Sequence, residues 1–180
     1  MNLLLRTLCV LFRATLRSRL AVLDTSIVRM RVWPNDLDLN FHLNNGRYLS
    51  LMDLGRYDLV ARNGLLWRVI RERWQPTVAS ETIRFRRSLA PFQSFELRTR
   101  ILGWDEKCFY IEQLFVAPSR RGEEIVCAVG LVRALFRGRE GNVPTREVLA
   151  TLGGAVTESP PLPEPVLAWS AAEREYSAPY

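Results

Sequence analysis

Four strand-like stretches, Glu81–Leu89, Phe95–Gly103, Phe109–Ala117 and Ile125–Arg137, follow one another with only short links between them. Pro91-Phe92 makes the first turn, Trp104–Lys107 a hairpin and Pro118–Glu123 a longer one. Short links predict antiparallel neighbours in one sheet. Ahead of them, Ser26–Trp33 alternates with period two, and Pro34 ends that strand. A polar loop, Asn35–Asn44, leads into Gly46–Arg62, where Tyr48, Met52, Gly55 and Leu59 recur at helical spacing. Asn44 or Asn45 suits the N-cap. Gly55 in mid-helix costs about 1 kcal/mol against Ala, which predicts close approach of the helix to a sheet. One strand, one long helix and four antiparallel strands define an α+β layer arrangement.

The flanks read differently. Met1–Leu20 is apolar but broken by Arg6 and Arg13, so it is too short to span a bilayer. As a helix it places Arg6, Arg13 and Arg17 on one face. That pattern fits a membrane interface with arginines toward the headgroups, and equally fits packing on the domain itself or on a partner. Trp67–Trp74 reads as a short helix or irregular segment, and Thr145–Leu152 as a short helix capped by Gly153-Gly154. Pro160–Pro165 is a stiff linker, followed by a final helix over Val166–Tyr176 and a loose tail. The expected organisation is an amphipathic basic helix over 1–22, a domain over 23–154, and a Pro-rich linker and tail over 155–180.

Charge narrows the partners. The net charge is +6, and of the 25 Lys and Arg only Lys107 is lysine. A surplus of guanidinium suits anionic partners, phosphates above all, although no nucleic-acid reading motif is present. One histidine excludes any multi-histidine metal site. Three cysteines without a C-x-x-C pair exclude a disulfide framework and predict buried free thiols in a reducing compartment.

The segment Arg31–Leu54 reads RVWPNDLDLNFHLNNGRYLSLMDL. It resembles the hotdog-fold acyl-CoA thioesterases of the 4-hydroxybenzoyl-CoA thioesterase superfamily, in the branch with a D-x-D-x-x-x-H-x-N-N-x-x-Y signature. Asp36, Asp38, His42, Asn44, Asn45 and Tyr48 match it. Many relatives carry Gly where this chain has Phe41, and a bulky ring there is expected to reshape the pocket. The resemblance spans roughly Ser26 to Arg137. It implies a curved antiparallel sheet wrapped around one long central helix, two subunits joined edge to edge as a homodimer or higher homo-oligomer, and active sites at their interface. The implied reaction is hydrolysis of an acyl-CoA to a free acid and CoA, with no metal and no cofactor.

In that chemistry Asp38 serves as general base or nucleophile. The helix N-terminus near Asn45–Tyr48 polarises the thioester carbonyl. Asp38, His42 and Asn45 are the catalytic candidates, and Asn44, Tyr48, Arg84 and Arg86 the substrate-binding ones. Alternation also pairs Arg98 with Arg100, and Arg133 with Arg137, as candidates for CoA phosphates. Phe41, Leu51, Met52, Leu59 and Trp67 are candidates for the acyl slot. The same residues also fit plain Asx-turns, helix caps and core packing. The alternative reading is a non-catalytic acyl-binding or membrane-associated hotdog protein. The expected location is cytoplasmic, with peripheral membrane contact through residues 1–20 as a further expectation.

Overall fold

The structure is a computed structural model and describes residues 2–119, 121–152 and 158–177. Helix α1 spans Leu3–Thr15 and strand β1 Ser26–Arg31. A single 3-10 turn, Pro34–Asp36, precedes the long helix α2, Asn45–Arg62, and the shorter α3, Leu65–Arg71. Strands β2 (Gln75–Phe85), β3 (Ser94–Trp104), β4 (Phe109–Pro118), β5 (Glu124–Gly138) and β6 (Gly141–Val143) follow. Helices α4, Thr145–Ala150, and α5, Glu164–Ser177, close the chain. The expected Gly153-Gly154 cap lies outside the described residues.

One antiparallel sheet runs in the order β1-β3-β4-β5-β2, with β6 against β5. The hairpins β3–β4 and β4–β5 are neighbours, as their short links predict. β2 and β3 are not. The link between them is taken up by the loop ahead of α2: Val32 N–H donates to Gln93 (3.0 Å), Phe92 N–H to Val32 (3.0 Å) and Leu43 N–H to Leu89 (2.9 Å). Those bonds carry the chain across to β1, so β3 pairs there, and β2 is left at the far edge with β5 as its neighbour. β2 also starts six residues earlier than alternation indicates, because Pro76 hides it. An edge strand tolerates that proline, since its missing N–H can fall on the unpaired side.

The sheet curls around α2. Tyr48, Leu51, Met52, Leu54 and Leu59 are buried on it, alongside Phe95, Leu97, Phe115 and Val132 of the strands. Gly55 does mark a close approach: a Cβ there would lie 2.8 Å from Leu97 Cδ2 and 2.9 Å from Gln113 Nε2. The fully buried Gln113 side chain donates to Met52 O and to Thr99 Oγ1, both at 2.9 Å, which ties helix to sheet. The expected final helix is α5, docked on the other side of the sheet, and the tail beyond it lies outside the described residues. The Ser170 hydroxyl of α5 lies 3.0 Å from Tyr110 Oη, and Glu173 accepts from Arg133 at 3.0 Å.

α1 is shorter than residues 1–22 and packs on α2, with Arg6, Val10 and Ala14 inward. Of the two expected arrangements, packing on the domain itself is the one that Arg6 follows. Arg6 is buried in an ion pair with Asp36, and Arg17 reaches Asp58 at 3.6 Å. Cys108 and Cys127 are buried thiols, but Cys9 is exposed on α1.

Candidate active site

The loop between β1 and α2 is built on Asp36. Pro34 starts the turn, and the Asp36 carboxylate, 0% exposed, collects the Trp33 N–H (2.9 Å), Arg47 Nη2 (3.1 Å) and Arg6 Nη2. Its own carbonyl accepts from Asn44 N–H at 2.9 Å. A carboxylate can be buried this deeply only when paired and hydrogen-bonded. Asp36 is thus the anchor of the loop.

Asp38 stands two residues on and is half-buried. Its Oδ1 accepts from Asn40 N–H at 2.9 Å and His42 N–H at 3.2 Å, and its own N–H donates to His42 O at 2.9 Å. This is an Asx-turn, and it also aims a carboxylate: Oδ2 stays outside those two bonds. His42 holds Asp38 through its backbone, with the imidazole exposed. Phe41 makes the turn at φ 56, a left-handed conformation that favours glycine, and its ring is 72% exposed. The ring therefore leaves the interior of this chain unchanged.

Asn44 is the N-cap of α2, its Oδ1 accepting from Gly46 N–H at 2.9 Å, while Arg47 N–H donates to Asn44 O at 2.9 Å. Among the first three helix residues, Asn45 alone keeps an N–H without a partner among the described residues, at the positive end of the helix dipole. Tyr48 lies in the core, its ring 5.0 Å from that of Phe85 and 4.8 Å from that of Phe115. Burial and the nearby Cys127 push its hydroxyl up to about 12, against a hydrogen bond with the backbone of Leu89. Its place is under the loop as a wall.

The arginine candidates divide. Arg84 is exposed on β2, but Arg86 lies past the strand end, where the N–H groups of Arg86 (2.8 Å) and Arg87 (3.0 Å) both donate to Cys127 O. The two do not share a strand face. Arg98 is tied to Glu96 and Glu124, Arg100 to Glu112 and Arg133 to Glu173. Arg87 and Arg121, which the strand pattern passes over, line a groove of about 600 Å³ beside the 86–93 link. Only their meeting in space reveals it.

Of the expected acyl-slot residues, Leu51 and Met52 are sealed in the core, and Trp67 is 76% exposed. An apolar cavity of about 310 Å³ instead lies along the second half of α2, lined by Leu59, Val60, Leu65, Val69, Ile111 and Phe136 among others. Asp53, at its rim, binds Arg56 at 2.6 Å, and Arg56 reaches Gln113 Oε1 at 2.8 Å. Among the described residues no group of three or more His, Cys, Asp or Glu is placed to hold a metal ion.

A curled antiparallel sheet around one long helix is the hotdog fold. The family model of the thioesterase-like superfamily matches residues 32–170, and the chain belongs to that superfamily. Protein THEM6 of Xenopus laevis is 41% identical over 138 residues, covering 77% of this chain and 63% of the frog protein. The chain thus matches somewhat under two thirds of that relative's length. Among solved structures, the probable thioesterase YbaW of Escherichia coli superposes with a TM-score of 0.63 at 17% identity, over 71% of this chain and 96% of that one. The 4-hydroxybenzoyl CoA thioesterase of a Pseudomonas species gives 0.64 at 13% identity, over 71% and 98%. At those identities the likeness is one of fold.

Proposed function

We propose that this chain hydrolyses an acyl-CoA thioester at Asp38. The observation that carries the reading is the Asp38 carboxylate, held by the N–H groups of Asn40 and His42 in the loop that runs into the α2 N-terminus. As general base, Asp38 takes a proton from water while the water oxygen attacks the thioester carbon. The oxyanion forms against Asn45 N–H and the α2 dipole. Collapse breaks the C–S bond, and the CoA thiolate leaves with the proton held by Asp38. As nucleophile, Asp38 attacks the carbon itself, expels the thiolate, and water then hydrolyses the resulting anhydride. His42 and Asn44 frame the entrance with exposed polar groups, and Tyr48 supports the loop from below.

We assign the far end of a long acyl chain to the apolar cavity along α2, about 12 Å or more along the helix from Asn45, and the CoA phosphates to the guanidinium groups of Arg84, Arg86, Arg87 and Arg121. Guanidinium suits phosphate through two parallel hydrogen bonds. The open edge of β2, with Val78 and Phe85 exposed on it, is where a second subunit would continue the sheet. A homodimer of that kind brings a second chain to each site.

The test is hydrolysis of short, long and aromatic acyl-CoAs by the wild type beside Asp38→Asn. Turnover by the wild type and its loss in the variant support the reading. Turnover unchanged by Asp38→Asn removes Asp38 from the chemistry. A folded protein that turns over no acyl-CoA leaves a binding role in place of catalysis.

A further inference from the structure

The outward face of α1 has no part in the thioesterase chemistry. Arg6, Val10 and Ala14 face the protein, and on the opposite side stand Leu4, Leu5, Leu8, Phe12 and the C-cap residue Leu16. Phe12 is 67% exposed and Leu16 73%. At about 100° per residue these five share one face. Monomeric proteins rarely leave so contiguous an apolar surface open.

Beside it runs a groove of about 1110 Å³ between α1 and the edge strand β1, lined by Arg6, Arg13, Arg17, Arg29, Arg31 and Arg98. Asp36, Asp58, Glu96 and Glu124 offset four of these. Arg13 and Arg31 have no carboxylate partner among the described residues. Arg6 Nη1, at the groove wall, is buried without a hydrogen-bond partner. Residues 1–20 hold four arginines, Arg6, Arg13, Arg17 and Arg19, and no acid. A second copy would bring Arg13 and Arg19 against the same cations, so self-association over this face works against its own charge. An anionic lipid surface complements both halves of it, apolar chains for the leucines and phosphates for the arginines.

We propose that α1 docks the protein on an anionic membrane surface, with Leu8 and Phe12 entering the acyl boundary and Arg13, Arg19 and Arg31 meeting lipid phosphates. No helix among the described residues is long and apolar enough to cross a membrane, so the contact is peripheral. Arg6 faces inward, so the apolar side of the helix, rather than its arginine stripe, meets the lipid.

The test is flotation of the full chain with vesicles of phosphatidylcholine alone or mixed with phosphatidylglycerol. The wild type should float with the mixed vesicles and at least tenfold less with the neutral ones, more weakly as salt rises. Leu8→Asp/Phe12→Asp changes only exposed positions, so its thermal melt should match the wild type while flotation is lost. Arg13→Glu/Arg31→Glu should weaken flotation more than tenfold, from about fivefold for each arginine near an anionic surface. Failure of the wild type to float with the mixed vesicles overturns the proposal. So does equal flotation of the Leu8→Asp/Phe12→Asp variant. If that variant instead splits a wild-type oligomer that binds no vesicles, the face belongs to a second copy and the proposal is wrong.

Discussion

The guanidinium of Arg6, in the first helix, is ion-paired with the carboxylate of Asp36, two residues before Asp38, and both side chains are buried. The pair ties α1 to the loop that carries the acidic centre. Removing one partner of a buried pair leaves the other charged in a dry site and typically costs 3–5 kcal/mol. Asp36→Asn should therefore destabilise the fold by about 3 kcal/mol, and Arg6→Met should cost less, because Arg47 still pairs Asp36. Chemical denaturation of both variants checks the order. Equal stability of wild type and Asp36→Asn would show that the pair carries no weight.

His42 holds Asp38 through a backbone N–H that any residue but proline supplies. His42→Ala should keep the fold and lose less than about tenfold in kcat/KM, against a hundredfold or more for Asp38→Asn. Steady-state kinetics on the best acyl-CoA decide it. A loss as large as that of Asp38→Asn would place the imidazole in the chemistry.

Phe41 sits at φ 56 with its ring in solvent, so it has strain and little burial to offset it. Left-handed backbone costs a side-chain-bearing residue about 1–2 kcal/mol, and glycine returns part of that as unfolded-chain entropy. Phe41→Gly should raise the melting temperature by a few degrees. A lower melting temperature would mean that the ring is buried in the assembled protein.

Gly55→Ala reverses the usual helix rule. Alanine normally stabilises a helix interior by about 1 kcal/mol. Here the added Cβ would press within 3 Å of Leu97 Cδ2 and Gln113 Nε2, so the variant should lose about 1–3 kcal/mol to overpacking. A thermal melt reads the sign directly.

Tyr48 gives a pH signature. Its hydroxyl is pushed up to about 12 from 10.0, mainly by burial. The unfolded chain ionises it first, so its share of stability is whole below pH 10 and declines as pH rises from 10 toward 12. In Tyr48→Phe that alkaline decline should be shallower. Identical slopes in denaturation at stepped pH would show that the hydroxyl titrates freely.

Much was legible in the residues themselves. Period-two and helical spacing located β1, α2 and three of the later strands, because burial on one face imposes those periods locally. Gly55 announced the close approach of helix to sheet. The spacing Asp36–Asp38–His42–Asn44 marked the acidic loop and its cap, since Asx-turns and caps act over two to four residues. What local pattern could not set was pairing across distance. The short link through Pro91-Phe92 read as a hairpin, and only the capture of that link by Val32 and Leu43 sends β3 to β1 and leaves β2 at the edge. The fates of two like residues diverge in the same way. Asp36 and Asp38 stand two apart in one loop, but Arg6 and Arg47 close over the first and leave the second half-open. The sequence by itself determined where most of the strands lie, though not the start of β2 or the short β6, and it located the central helix and the acidic loop. Tertiary packing decided which carboxylate is an anchor, which arginines are already paired and which face of α1 is turned to solvent, because burial and charge pairing depend on neighbours far along the chain.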